Sequence, residues 1–250
     1  MQAFLTLTRR ELATFFVSIT GYIIIAAATF LVGLSFVVML FRLGSDTSTM
    51  PVTELFYNTP FFWFILLLAA PVITMRMFAL EKYSGTFETL MTTPVTDAQV
   101  VLAKFTAAML FYVVMWLPML ACLFLVQRYS KPPASLDMGA VGGTYLGIFL
   151  LGGLFLSLGC FASSLTRGQM VAAMMSLVMG LSLFLLGFLA DQIPAQAPWQ
   201  AQVLRSFSLF EQMQDFARGV VDTRPIVFYV SLTLFFLFLT LRAVESRRWR

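Results

Sequence analysis

Apolar runs and short polar stretches alternate along the whole chain. Six of the runs are long enough to cross a membrane: about residues 19–41, 61–78, 105–126, 139–165, 170–190 and 225–241. A helix crosses the ~30 Å hydrocarbon core in about 20 residues and satisfies its own backbone on the way. The pattern therefore predicts an all-α integral membrane protein with six transmembrane helices. Pro60 opens the second run, whose charge-free part ends at Met75. That helix is expected to continue towards Phe78 with a kink at Pro71. Only TRGQ (166–169) separates the fourth run from the fifth, which calls for a tight connection. Six spans use roughly half the chain, so a single transmembrane domain over 1–250 is expected, with no sizeable soluble domain.

Three polar stretches carry patterns of their own. Residues 1–18 are too polar to span, yet at 100° per residue Phe4, Leu5, Leu12, Phe15, Phe16 and Ile19 share one arc. Arg9 and Arg10, followed by Glu11, begin the polar side that Ala13 continues. This reads as an amphipathic helix at the membrane interface, with an unstructured tail as the alternative. Residues 76–104 form a long polar stretch between the second and third spans. Residues 191–224 open with Pro194 and Pro198, then repeat Val203, Leu204, Phe207, Phe210, Met213, Phe216 and Val220 at helical spacing among charges.

Composition agrees with a lipid-facing surface. Hydrophobic residues make up 60% of the 250, mean hydropathy is +0.88 and 11% are charged, where a soluble domain carries about 25%. The net charge of +4 does not point to nucleic acid, because no basic stretch carries interleaved stacking aromatics. The cations flank apolar runs as topogenic charge. With the N-terminus inside, ten of them (Arg9, Arg10, Arg76, Lys82, Lys104, Arg167, Arg242, Arg247, Arg248 and Arg250) fall on the cytoplasmic side. Six (Arg42, Arg128, Lys131, Arg205, Arg218 and Arg224) fall on the other. Both termini are thus expected in the cytoplasm. The first apolar run has no A-x-A site after it, so it reads as a span and not as a cleaved signal.

Candidate chemistry is sparse. Histidine is absent, which removes the commonest general base and metal ligand. Cys122 and Cys160 lie inside apolar runs without disulfide or metal-ligand spacing. The sequence holds no G-x-x-x-x-G-K-[ST], G-x-S-x-G, CxxC or HExxH. No catalytic, cofactor-binding or metal-ligating residue is expected in this chain, and it is not expected to be an enzyme. No span core contains an ionisable group, which argues against a proton-coupled carrier or a charged selectivity ring. Energy for any transport must then arrive from outside the bilayer. The spans do offer small-residue faces: Gly139, Gly143 and Gly147 in the fourth, and Ala172, Ser176 and Gly180 in the fifth. Such faces let helix backbones approach closely, within the subunit or across a dimer seam.

The stretch from Glu81 to Lys104, EKYSGTFETLMTTPVTDAQVVLAK, resembles the first cytoplasmic loop of ABC type-2 (ABC-2) transporter permeases. In that family an acidic residue, a Gly-Thr pair, a Glu and an apolar LL-x-x-P run lead into a Lys at the start of the third span. Glu81, Gly85-Thr86, Glu88, Leu90-Met91, Pro94 and Lys104 stand in those positions. RRELATFFVSITGYII (9–24) and FARGVVDTRPIVFYVSL (216–232) resemble the same family. In look the chain is similar to its gliding-motility and nitrous-oxide-reductase-maturation subgroup.

The resemblance implies that the segment from about Gly85 to Met91, with Phe87 at its centre, is a coupling helix that docks into a groove on a separate ABC ATPase. Two copies of that ATPase would bind ATP and Mg. It implies a second permease chain, identical or different, and a multi-pass position in a bacterial inner membrane. It also implies extracytoplasmic re-entrant helices within 191–224, tolerated at membrane depth only where buried in protein or lining a cavity. Independently, a short segment at the membrane surface ended by Pro94 is what a partner groove can grip, and a plain solvated loop is the alternative. The outer loops are short, so the large extracytoplasmic domain of some members is missing. Three functions stay open: an ATP-driven exporter permease, a non-transporting transducer that relays ATPase motion to an extracytoplasmic accessory protein, and an ATP-independent carrier. The uncharged spans disfavour the last, and no span presents a polar cluster that names a substrate.

Overall fold

The computed structural model describes residues 2–45, 53–54, 59–85, 96–129, 137–190 and 208–246. Among these residues there are helices and no strand. In chain order they are α1 (Gln2–Val17), α2 (Ile19–Ser45), α3 (Pro60–Thr74), α4 (Ala79–Ser84), α5 (Asp97–Tyr129), α6 (Met138–Leu165), α7 (Gln169–Ala190), α8 (Leu209–Ala217) and α9 (Thr223–Glu245). Six stretches are long and apolar enough to cross a membrane: α2, α3 with α4, α5, α6, α7 and α9. The protein is a multi-pass α-helical membrane protein.

Local chemistry sets most of the helix ends. Pro60 takes the first helical position of α3, where its missing N–H is no loss. Asp137, Ser208 and Asp222 cap α6, α8 and α9 by accepting from Gly139 N (2.8 Å), Glu211 N (3.4 Å) and Arg224 N (3.2 Å). Two ends differ from the sequence pattern. α3 is interrupted at 75–78, a turn beyond Pro71. Pro71 deprives only Leu67 of its donor, and Met75 N still donates to Pro71 O at 2.9 Å. α5 begins at Asp97, well before Phe105, so Lys104 lies two turns inside a helix.

The hub is α6, most of which is buried, whereas α2, α7 and α9 turn most of their surface outward. Its small residues receive a different neighbour at each level. A Cβ added at Gly143 would collide with the Phe216 carbonyl, and one at Gly147 would meet Met213 Sδ at 2.8 Å, so α8 seats there. A Cβ at Gly152 would strike the Tyr112 ring of α5, and one at Gly159 the Thr74 side chain of α3. On α7, Ala172 and Ser176 are buried, and a Cβ at Gly180 would lie 2.9 Å from the Phe155 ring of α6. Gly139 lies over its own cap, 3.1 Å from Asp137 Oδ1 by the same measure. The contacts of Gly143, Gly147 and Gly180 are therefore made within the chain.

α8 buries Leu209, Gln212, Met213, Phe216 and Ala217, one face at 3–4 residue spacing. It reaches Gly147, about 14 Å along α6 from that helix's start. The segment therefore lies beside the first half of a span and not beyond its end. Residues 191–207 of the stretch in which re-entrant helices are expected lie outside the described residues.

Candidate functional site

Where α3 gives way to α4, four ties hold a short polar segment to three other helices. Arg76 donates to Ser18 Oγ (3.4 Å) and Thr20 Oγ1 (2.5 Å) at the elbow between α1 and α2. Ser163, in the last turn of α6, accepts from Phe78 N and Ala79 N (3.1 Å each) and donates to the Met75 carbonyl (3.4 Å). α4 has no side-chain cap of its own, and a hydroxyl from another helix satisfies the N–H groups that its first turn leaves open. Lys82 Nζ donates to the Ser164 carbonyl, where the last turn of α6 offers carbonyls with no partner inside the helix and the negative end of its dipole.

The fourth tie is ionic. Lys104 is 2% exposed, and an ammonium so far from water persists only when it is paired. Its Nζ lies 2.7 Å from Glu81 Oε1 on α4 and 3.2 Å from Glu11 Oε2 on α1, with the Phe78 ring centroid at 5.6 Å. Arg10 Nη2 closes the cluster on Glu11 at 2.7 Å. The acidic and basic residues that stand in the family's motif, Glu81 and Lys104, thus form one ion pair across 23 residues of sequence. After Ser84 the chain turns at Gly85, whose φ of +74° ends α4 in the left-handed conformation.

Of the residues expected to meet an ATPase, Glu81 pairs with Lys104 and Gly85 is the C-cap of α4. Thr86, Phe87, Glu88, Leu90, Met91 and Pro94 lie outside the described residues. The N-terminal segment is a helix, and part of its apolar face packs against protein. Phe15 stacks on Phe111 of α5 at 5.0 Å, Phe16 meets the same ring edge-on at 5.5 Å, and Leu12 packs with them. Arg9 and Arg10 are exposed on the other side, and of the expected arc Leu5 and Ile19 stay outside. A helical wheel of one segment cannot show an aromatic partner in a distant span.

A second cluster occupies the opposite end of the bundle. Glu54 is 1% exposed and accepts from Arg218 Nε (3.1 Å), Arg218 Nη2 (2.8 Å) and Gln214 Nε2 (2.9 Å). Thr53 Oγ1 donates to the Ala217 carbonyl at 2.7 Å. The bidentate Arg218 fork holds the Glu54 carboxyl below the usual carboxylate value, against the upward push of burial. These bonds pin 53–54 to the end of α8. Sequence reasoning missed this pairing and the Glu11–Lys104 pair, because partners 164 and 93 residues apart leave no local signal. The one hint was a Lys at the mouth of an apolar run with carboxylates elsewhere to meet it.

Both clusters are mechanical in character, made of anchors and caps. Residues 45–244 match the family model described as ABC-2 family transporter protein. No curated protein matches the chain.

Proposed function

We propose, from the premise that the chain belongs to the ABC-2 family of transporter proteins, that this permease component of an ABC transporter works as an exporter subunit. In this reading it dimerises with a second permease chain and is driven by two copies of a separate ABC ATPase, which hold ATP and Mg. The termini face the cytoplasm of a bacterial cell, and the spans cross its inner membrane.

The observation that carries the reading is the anchored segment at 75–85. It leads directly into 86–95, and through Arg76, Glu81, Lys82 and Ser163 it is bound to the α1–α2 elbow, α5 and α6. A displacement applied to 86–95 therefore acts on several spans together. Closure of the ATPase pair would push this segment, tilt the spans as rigid bodies and reshape the cavity between the two permease chains. Thr86, Phe87, Glu88, Leu90, Met91 and Pro94 form the contact, and Glu81 anchors it. A second reading, relay of this motion to an extracytoplasmic accessory protein without transport, draws on the firm seating of α8 by Glu54 and Arg218 at the opposite end.

Ser84 is exposed at the end of α4 and serves as the test position. In a Cys122→Ala/Cys160→Ala background, Ser84→Cys is expected to react with a membrane-impermeant maleimide from the cytoplasmic face only. Bound ATPase is expected to slow that reaction. Labelling from the outer face, or at one rate with and without ATPase, contradicts the proposal.

A further inference from the structure

A cavity of about 550 Å³ opens between α1, the start of α2, the end of α3 and α5, a size that takes a small organic ligand. Its lining is divided. Thr14, Ser18, Thr20 and Arg76 make one part polar, beside the Lys104 cluster, while Ile24, Val72 and Ile73 continue it along spans α2 and α3 and Phe15 of α1 lies beside them. A space that is polar at the helix ends and apolar towards the bilayer fits an amphiphile.

Charge selects the head group. Lys104 and Arg10 are matched by Glu81 and Glu11, but Arg76 has no carboxylate partner among the described residues. It donates to two hydroxyls, Ser18 and Thr20, which are 2.6 Å from each other. Its Nε is buried without a hydrogen-bond partner. A half-buried guanidinium with an idle N–H, in a cluster otherwise neutral, favours an anion with several acceptor oxygens. Just outside, Val17, Ile19, Tyr22 and Ile23 expose apolar surface along the same elbow, a path that an acyl chain can follow.

We propose that this cavity holds one anionic phospholipid of the adjoining leaflet. Its phosphate diester lies on the Arg76 guanidinium with the Ser18 and Thr20 hydroxyls, and one acyl chain lies against Ile24 and Val72. The lipid adds a tie between the α1–α2 elbow and the 75–85 segment. The site does not depend on the transport reading, because its test needs neither ATPase nor substrate.

The purified full chain in detergent is titrated with dioctanoyl-phosphatidylglycerol and followed by native mass spectrometry. Dioctanoyl-phosphatidylcholine and inorganic phosphate run as parallel probes. The expected result is one phosphatidylglycerol per chain, bound about tenfold or more tighter than phosphatidylcholine and not displaced by millimolar phosphate. Arg76→Gln is expected to remove that preference, with about tenfold or more loss of affinity. Thr14→Trp, at an exposed position on the cavity wall, blocks the site by bulk and leaves every tie of Arg76 in place, so it covers the case in which Arg76→Gln fails to fold. Arg128→Gln, at the opposite end of the bundle, leaves binding unchanged. Equal affinity for the two lipids, or full binding retained by Thr14→Trp, overturns the proposal. Displacement by inorganic phosphate would assign a free-anion site instead.

Discussion

Glu54 and Lys104 do similar work at opposite ends of the molecule, each a buried charge that joins elements far apart in sequence. Lys104 sits between two carboxylates, and Glu54 between a guanidinium fork and an amide. Such groups lose their water on folding and repay it only through complete hydrogen bonding. For Glu54 the repayment depends on pH in a definite direction. Its folded pKa lies below its unfolded one, near 4.5. The stabilisation is therefore fully present above that value and is lost as pH falls through the lower, folded value. Thermal unfolding in detergent should show the parent losing more stability than Glu54→Gln between pH 6 and pH 3.5, with the two curves converging at the acid end. At pH 6 the substitution should cost about 1–3 kcal/mol, the scale of a buried hydrogen-bonded charge. Equal acid sensitivity of both proteins would remove Glu54 from the outer anchor.

Elements show where sequence was enough and where it was not. The six spans were legible because length without charge is a local property, and five of them begin within two residues of where the apolar runs place them. The start of α5 was not, since Lys104 is tolerated inside the helix only through Glu11 and Glu81, which no window around it contains. A kink was expected at Pro71 with the helix continuing towards Phe78, whereas the interruption lies at 75–78, where Ser163, a residue two spans away, bonds the freed backbone. The apolar spacing of Phe210, Met213 and Phe216 is that of a helix, and α8 lies against Gly143 and Gly147, although nothing in the sequence joins the two. That junction gives an internally controlled test. At Gly143 a Cβ would collide with the Phe216 carbonyl, whereas at Gly142 it would meet nothing within 4 Å. Gly143→Ala should therefore destabilise by about 1–3 kcal/mol through overpacking. Gly142→Ala should be neutral or stabilise by up to about 1 kcal/mol through helix propensity. Matching melting temperatures for the two variants would mean that α8 does not seat on this face.

At the scale of the whole molecule, one of the six spans, α6, is a glycine-bearing hub, and an anchored cluster lies at each end of the bundle. An even number of spans places α1 and the end of α9 on the same face as 75–85. A push at that face meets a segment clamped to the elbow, α5 and α6. α6 in turn contacts α3, α5, α7, α8 and α9, the route by which the proposed motion would reach the far end. This account stands or falls on contact between an ATPase and the segment that follows Gly85. The direct measurement is co-purification with the ATPase, together with ATPase stimulation in nanodiscs, for Glu88→Lys and Gly85→Pro. The first reverses the charge offered to the partner. The second forbids the φ of +74° that directs the chain out of α4. Breaking a desolvated charge contact costs about 2–5 kcal/mol, so the Glu88→Lys complex should weaken roughly 30-fold or more and stimulation should fall with it, while membrane insertion of the chain survives. Parent-like binding and stimulation in both variants would contradict the account.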